Sequence, residues 1–430
     1  MALPLTLQQL RTVMVPMPLS NIRVIELALN WAGPKSTQVL ADMGAEVIKV
    51  ESIQRMDDQR GMKHGSKGLP RYPGKEPGQR PWDRSSHFNQ INRNKIGITL
   101  DVGQPKGKEI LFSLVRIADV VVDNYPFKAR ETFGITYAQL RDIKPDIIMM
   151  SMPGYGMTGP YRDYLGWGPE FESVAGLTIG TGYPDLPPIT PGTSDPTAGL
   201  TGAFALLTAL YYRTQTGKGQ FIDFSHAEAS AVLAAESIME YTTNRRLPMR
   251  MGNRSSHMAP HSVYRCRGED SWVAIAVSSD EEWRALVKSL GDPRWANEER
   301  FSNMLNRWEN QDELDRLIED WTTKHDQYQV MQVLQAVSVP AGAVLDAGQV
   351  FKDTHLKERG FFETVTHPEA GTHSYPGAFW KMSKTPGFIR APAPCLGEHN
   401  RYVYGELLEM SEKEIAQLEA EQIIGTEPLE

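Results

Sequence analysis

The chain has 430 residues, 40% of them hydrophobic and 23% charged, and a net charge of −8 at pH 7. That length is too great for one simple core and implies two or three domains. The acidic balance, with no long run of lysines and arginines, excludes a nucleic-acid surface, and the two distant cysteines, Cys266 and Cys395, exclude a structural zinc site and fit a reducing compartment.

Residues 1–19 are mildly apolar but broken by Pro4, Pro16 and Pro18, carry Arg11 and offer no small-residue cleavage site, a poor signal peptide. No apolar run reaches membrane-spanning length. The expectation is a cytoplasmic protein that engages no membrane. Residues 1–20 read as an N-terminal extension, and residues 1–16 as either a true extension or a misplaced start.

Regular structure begins at Asn21. Residues 22–27 read as a strand, 30–34 as a turn, 35–43 as a helix closed by Gly44, and 46–50 as a second strand. This is a βαβ unit and predicts a parallel sheet. Glu51 at the strand end would suit a dinucleotide fold, but the turn lacks the G-x-G-x-x-G that admits a pyrophosphate. Residues 52–88 are polar and aperiodic, a long loop that could order over a ligand. A strand at 95–101, a helix at 105–118 and a strand at 120–123 follow. Asn124 to Arg130 then lie after the carboxyl end of a parallel strand, where α/β sheets bind ligands. Lys128 and Arg130 there are either phosphate partners or a solvated pair of charges. A strand at 146–152 runs into the loop 154–161.

The central stretch is 192–199, leading into the apolar run 200–212. Leu200, Phe204, Leu207 and Tyr211 recur at helical spacing and predict a buried helix. Asp195 precedes Pro196, a standard helix start: the carboxylate caps orphan N–H groups, and the proline takes a position needing none. The helix dipole would keep Asp195 ionised. Such a carboxylate could be a nucleophile, or only a cap; the local sequence alone favours the cap. After the turn 216–220 come a strand at 221–224, a helix at 226–241, a basic irregular boundary at 244–258, a strand at 271–277 with helices near 280–290, 309–322 and 327–337, an irregular stretch at 344–392, and an amphipathic helix at 411–422.

Taken together, several segments resemble the class III CoA-transferases, the family of formyl-CoA:oxalate and carnitine CoA-transferases, with α-methylacyl-CoA racemase as a divergent branch. They are residues 23–27, Trp31-Ala32-Gly33-Pro34, 40–51, Asn92-Arg93-Asn94-Lys95, Leu100-Asp101, 119–124, 154–161, 216–220, Gly252-Asn253-Arg254 and Leu396-Gly397-Glu398-His399. The resemblance runs from about Pro18 to His399. It implies a large parallel-sheet, Rossmann-like α/β domain built from residues 21–240 and 345–430, and a linker with a smaller α+β domain at 241–344. It further implies that two subunits interlock as a dimer.

By the same resemblance Asp195 is the catalytic aspartate, carrying CoA from an acyl-CoA donor to a carboxylic acid through covalent aspartyl intermediates. No tightly bound cofactor and no metal are expected; coenzyme A thioesters are the substrates. Coenzyme A would lie against Trp31, Ala32, Leu100, Asn124 and Tyr125, with Lys128 and Arg130 on its phosphates. Backbone N–H groups near Gly192 could hold the oxyanion, and the glycines near Asp195 and the loop 253–261 are lid candidates. One departure stands out: many relatives carry an aromatic–acidic pair after the Gly-Pro-Tyr loop, where this chain has Trp167-Gly168 with Glu170 and Glu172 displaced. Trp31 suggests a bulkier or more apolar acyl group than formate or oxalate, although it could equally be a packing residue; succinyl-CoA is the expected donor and an aromatic or branched carboxylic acid the expected acceptor. The alternatives are an α-methylacyl-CoA racemase, whose histidine is missing from residues 165–168, and one subunit of a heteromeric transferase.

Overall fold

The computed structural model describes residues 17–61, 63–64, 71–247 and 249–429; the expectation for residues 1–16 falls outside them. Six short strands form one parallel sheet: β1 (Arg23–Glu26), β2 (Glu46–Glu51), β3 (Lys95–Thr99), β4 (Val120–Asp123), β5 (Ile148–Ser151) and β6 (Phe221–Asp223). Their order is β3-β2-β1-β4-β5-β6. Successive strand residues face opposite sides. Val24, Val47, Val120 and Ile148 therefore enter one layer, together with Ala41 and Leu206 of the helices Ala32–Asp42 and Ser194–Thr216. Ile25, Ile48, Val121 and Met149 enter the other, against helices Pro105–Arg116, Tyr137–Ile143 and Glu412–Ala420. Burial on both faces is why the strands read as nearly unbroken aliphatic runs.

The order reverses between β1 and β4, which makes that junction the switch point of the sheet. Late residues close its far edge: the Gly97 N–H donates to His399 Nδ1 (3.1 Å) and the Thr99 N–H to Asn400 Oδ1 (3.0 Å). The described residues divide into two compact units, one of those up to 178 with 190–245 and those from 358 onward, the other of 179–189 with those between 246 and 357. The second unit holds an antiparallel sheet of β7 (His261–Arg265), β8 (Trp272–Ala276) and β9 (Ala341–Val344) around Tyr264, Trp283, Phe301 and Leu314. Among the described residues no helix is long and apolar enough to cross a membrane.

Three expectations change. The stripe Leu200, Phe204, Leu207, Tyr211 is exposed, Phe204 at 72% and Tyr211 at 69%. The buried face of that helix is mostly small, with Ala198, Gly199, Gly202, Ala203 and Ala209 beside Leu206 and Leu210, and at Gly199 the neighbouring helix approaches too closely for a larger side chain. A Cβ on Gly199 would lie 2.6 Å from Lys35 Cβ. Residues 52–88 are also more than a loop over a ligand. Fully buried Arg60 joins Glu51 and Asp83 at 2.8 Å each and stacks 3.6 Å above the Phe88 ring. Beside it, buried Lys49 bridges Glu26 and Asp57 at 2.9 Å each, and Lys95 reaches Glu26 at 2.8 Å. Glu51 is thus committed to Arg60. The irregular stretch at 344–392 contains a hairpin, β10 (Phe362–His367) with β11 (Gly371–Pro376).

Candidate active site

Asp195 stands in the first turn of the Ser194–Thr216 helix but does not cap it. The capping acceptor is Glu172, fully buried on the helix Gly168–Val174. Its carboxylate accepts the N–H groups of Gly192 (3.0 Å), Thr193 and Ser194 (2.8 Å), with the Thr193 hydroxyl at 3.3 Å. The cap reading of Asp195 and the oxyanion role of the Gly192 backbone are both corrected by this: a longer side chain from another helix has taken those donors. Phe171-Glu172 is itself an aromatic–acidic pair, four residues beyond Trp167-Gly168.

No described residue donates a hydrogen bond to the Asp195 carboxylate, which is 27% exposed. Burial, followed by the charge of Glu172, pushes its carboxyl up to about 6, opposite to what the helix dipole alone predicts. Still, at neutral pH it is ionised. Oδ2 faces Gly168, where a Cβ would stand only 3.1 Å away. Oδ1 faces His226, whose Nδ1 is 3.7 Å distant. His226 opens the helix His226–Leu233, which Ser225 caps through the Glu228 N–H and which the Ser230–Ser194 hydroxyl contact (3.1 Å) ties to the Asp195 helix. Its ring is 5% exposed, between Phe171 and Phe224, and neither nitrogen has a hydrogen-bond partner of normal geometry. Burial pushes it down to about 4, the Met152 backbone opposing part of that change, so the imidazole is neutral. Sequence reasoning missed both Glu172 as the cap and His226. Only the spacing of His226 immediately after β6, at a strand's carboxyl end, could have pointed to it.

The residues expected around coenzyme A fall mostly at the switch point, in differing roles. Trp31 immediately precedes the helix Ala32–Asp42 and is 38% exposed; Ala32 is buried behind it. Asn124 clasps the end of β1, accepting from the Leu29 N–H (3.0 Å) and donating to its carbonyl (2.7 Å). Tyr125 packs its ring on Phe133. Lys128 is exposed. Arg130, by contrast, is 7% exposed and donates to Ser151 Oγ (3.0 Å), which donates in turn to Asp123 (2.7 Å). It braces β4 against β5. Leu100 is sealed in the core at 1% exposure, so its side chain has no surface to offer a ligand. In the second unit, Arg254 is held by Asp312 (2.6 Å) and Asp315 (2.8 Å), tying down the loop 253–261. Among the described residues no cluster of metal-ligating side chains occurs.

A doubly covered parallel sheet, with an unbonded carboxylate at a helix start near its carboxyl edge, defines an α/β enzyme site suited to nucleophilic chemistry. Residues 19–400 match the model of CoA-transferase family III, and the chain belongs to that family, as an enzyme of CoA transfer. It is 34% identical over 411 residues to the succinyl-CoA–D-citramalate CoA-transferase of Chloroflexus aurantiacus, covering 95% of this chain and 98% of that one. To the beta subunit of the succinyl-CoA–L-malate CoA-transferase of the same organism it is 30% identical, covering 95% and 98%. The crystal structure of a CaiB/BaiF family protein from Brucella suis superposes with a TM-score of 0.81 at 31% identity, covering 91% of this chain and 99% of that one.

Proposed function

We propose that this enzyme transfers CoA from succinyl-CoA to a short organic acid, with Asp195 as the covalent carrier. The observation that carries the reading is the Asp195 carboxylate itself: ionised at neutral pH, partly exposed, and free of hydrogen bonds that would blunt it. A carboxylate needs no base to attack a thioester. Asp195 Oδ2 adds to the donor carbonyl, the C–S bond breaks, and CoA leaves as thiolate with a mixed anhydride formed. The thiolate then attacks the aspartyl carbon, the donor acid leaves with Oδ2, and an aspartyl–CoA thioester remains. The acceptor carboxylate displaces CoA from that thioester, and the thiolate finally attacks the acceptor's carbonyl, restoring the Asp195 carboxylate. No proton moves at any step.

Exposed Trp31 supports an acceptor with an apolar branch. The names of the two relatives, with D-citramalate and L-malate, support succinyl-CoA as donor and a short dicarboxylic acid as acceptor, branched in the first case. An aromatic acceptor has only Trp31 behind it. The exposed stripe Leu200, Phe204, Leu207, Tyr211, together with Val232, Ile238 and Met239, supports the interlocked pair of subunits, identical or related. A coenzyme A site at Trp31, Asn124 and Tyr125 with Lys128 at the phosphates is part of the reading, as is work in the cytoplasm, where Cys266 and Cys395 stay unpaired. Finding a histidine beside Asp195 does not restore the racemase: two-base racemisation needs the α-carbon between acid and base, and 3.7 Å leaves no room for it.

The test is to incubate the protein with succinyl-CoA, trap with hydroxylamine or borohydride, and map the modified peptide. Modification at Asp195, absent in Asp195→Asn together with transfer to citramalate or malate, is the expected result. An Asp195→Asn variant that still transfers at the native rate refutes the covalent route.

A further inference from the structure

We propose that His226 donates the hydrogen bond that stabilises the oxyanion formed on Asp195 itself. This rests on the covalent route above and concerns a part of it that substrate-binding groups do not reach. Along that route negative charge develops in two places. One is the carbonyl oxygen of the substrate. The other is the carbonyl oxygen of the aspartyl group, when thiolate attacks the anhydride at the aspartyl carbon and again when the acceptor attacks the aspartyl–CoA thioester. Each of those additions leaves a tetrahedral carbon at Asp195 whose O⁻ is a former carboxylate oxygen, and a donor must already be there to receive it.

The backbone donors nearest by sequence are committed, since Gly192, Thr193 and Ser194 all donate to Glu172. His226 is less committed. Apart from the Met152 backbone, which favours the protonated ring, neither of its nitrogens has a hydrogen-bond partner of normal geometry, and a buried polar group in that state calls for one. Nδ1 faces Oδ1 at 3.7 Å, too long for a hydrogen bond and less than an ångström from a good one. Such contacts commonly tighten only when substrate is bound. A neutral imidazole with its proton on Nδ1 donates without pairing its charge with the resting carboxylate, so the nucleophile stays reactive. The ring cannot swing away: Phe171 and Phe224 flank it, and the Ser230–Ser194 contact holds its helix to that of Asp195.

The two oxygens of Asp195 thereby acquire different fates. Oδ1, anchored toward His226, remains the carbonyl oxygen through every cycle. Oδ2, facing the space left by Gly168, bonds the acyl group, leaves with the donor acid and is replaced by an oxygen of the acceptor.

Three variants of the full-length protein test this, His226→Phe, His226→Asn and Asp195→Asn, with succinyl-CoA and 18O-labelled succinate as probes. His226→Phe keeps the ring shape between its aromatic neighbours and removes the donor. It is expected to bind CoA as the native protein does, measured by calorimetry, while forming the aspartyl–CoA thioester about 10²–10³-fold more slowly in quenched mass spectra. His226→Asn, whose amide places an N–H near the Nδ1 position, is expected to recover a large part of that loss. In the native enzyme Asp195 should gain one 18O within the first turnovers and a second far more slowly. A His226→Phe variant that forms thioester at the native rate overturns the inference, and so does equal uptake of two labels by native Asp195. If His226→Phe fails to fold, His226→Asn and the label count still decide it. Full activity in Asp195→Asn would instead overturn the covalent route, a separate outcome.

Discussion

Asp195 should weaken the fold it sits in, and replacing it with asparagine should make the protein more stable at neutral pH. Its carboxyl is raised from 3.8 to about 6 by burial and by Glu172. The folded protein therefore holds this proton more tightly than the unfolded chain does. Below about pH 4 both states are protonated and nothing is lost. Between pH 4 and 6 the unfolded chain ionises first and the fold loses stability, and above about 6 the penalty is complete. At about 1.4 kcal/mol per pH unit the change corresponds to roughly 3 kcal/mol. Screening at a carboxyl that is 27% exposed reduces it to about 2. Urea unfolding followed by tryptophan fluorescence should show Asp195→Asn gaining about 2 kcal/mol at pH 7.5 and close to nothing at pH 4. An equal gain at both pH values, or a loss at pH 7.5, would refute the reasoning, because neither can come from titration of a destabilised carboxylate.

Glu172→Gln removes the charge second to burial in raising Asp195, so the acid limb of the transfer rate, near pH 6 in the native enzyme, should move to lower pH in a rate profile. The same change weakens the acceptor of three N–H groups and should lower stability by about 1–3 kcal/mol in denaturant titration. Gly199→Val forces side-chain atoms into Lys35, and a Cβ there would also stand 3.0 Å from the Ala32 carbonyl; a loss of about 1–3 kcal/mol and a raised KM for CoA are expected from unfolding and initial-rate measurements. Arg60→Met leaves buried Glu51 without its paired guanidinium and Asp83 with Arg80 alone, and should cost about 3–5 kcal/mol by urea unfolding, although no substrate comes near it in the proposed reading.

What could be read from residues alone followed the physics of each signal. The six parallel strands were legible because burial on both faces demands continuous Val, Ile and Met, and Thr216-Gly217 was legible because only a glycine-like φ of 70° ends that helix cheaply. The stretch 52–88 was opaque because its core is made of charges: Arg60, Asp57 and Asp83 look like surface until their partners are seen. Leu200 and Phe204 misled for the converse reason, an apolar stripe marking a helix without saying which side meets the protein's own core. The hairpin Phe362–Pro376 did carry an alternating pattern, which its histidines and threonines disguised. Around Asp195, the position was visible from its loop and proline, but the company was not. Glu172 and His226 are 23 residues before and 31 after it, brought in by separate helices, and no local pattern encodes that meeting.

The clasp of His399 and Asn400 on β3 also bears on how the molecule is made. During synthesis β1 to β6 emerge long before residues 395–425, so β3 leaves the ribosome as an open edge with Gly97 and Thr99 unpaired. An open strand is an invitation to any other strand in the vicinity. The nascent chain must carry that exposure through the building of the whole second unit, and only its last few dozen residues withdraw it. Aggregation of truncated chains, rather than simple inactivity, is the cost of an architecture that leaves its seal until last.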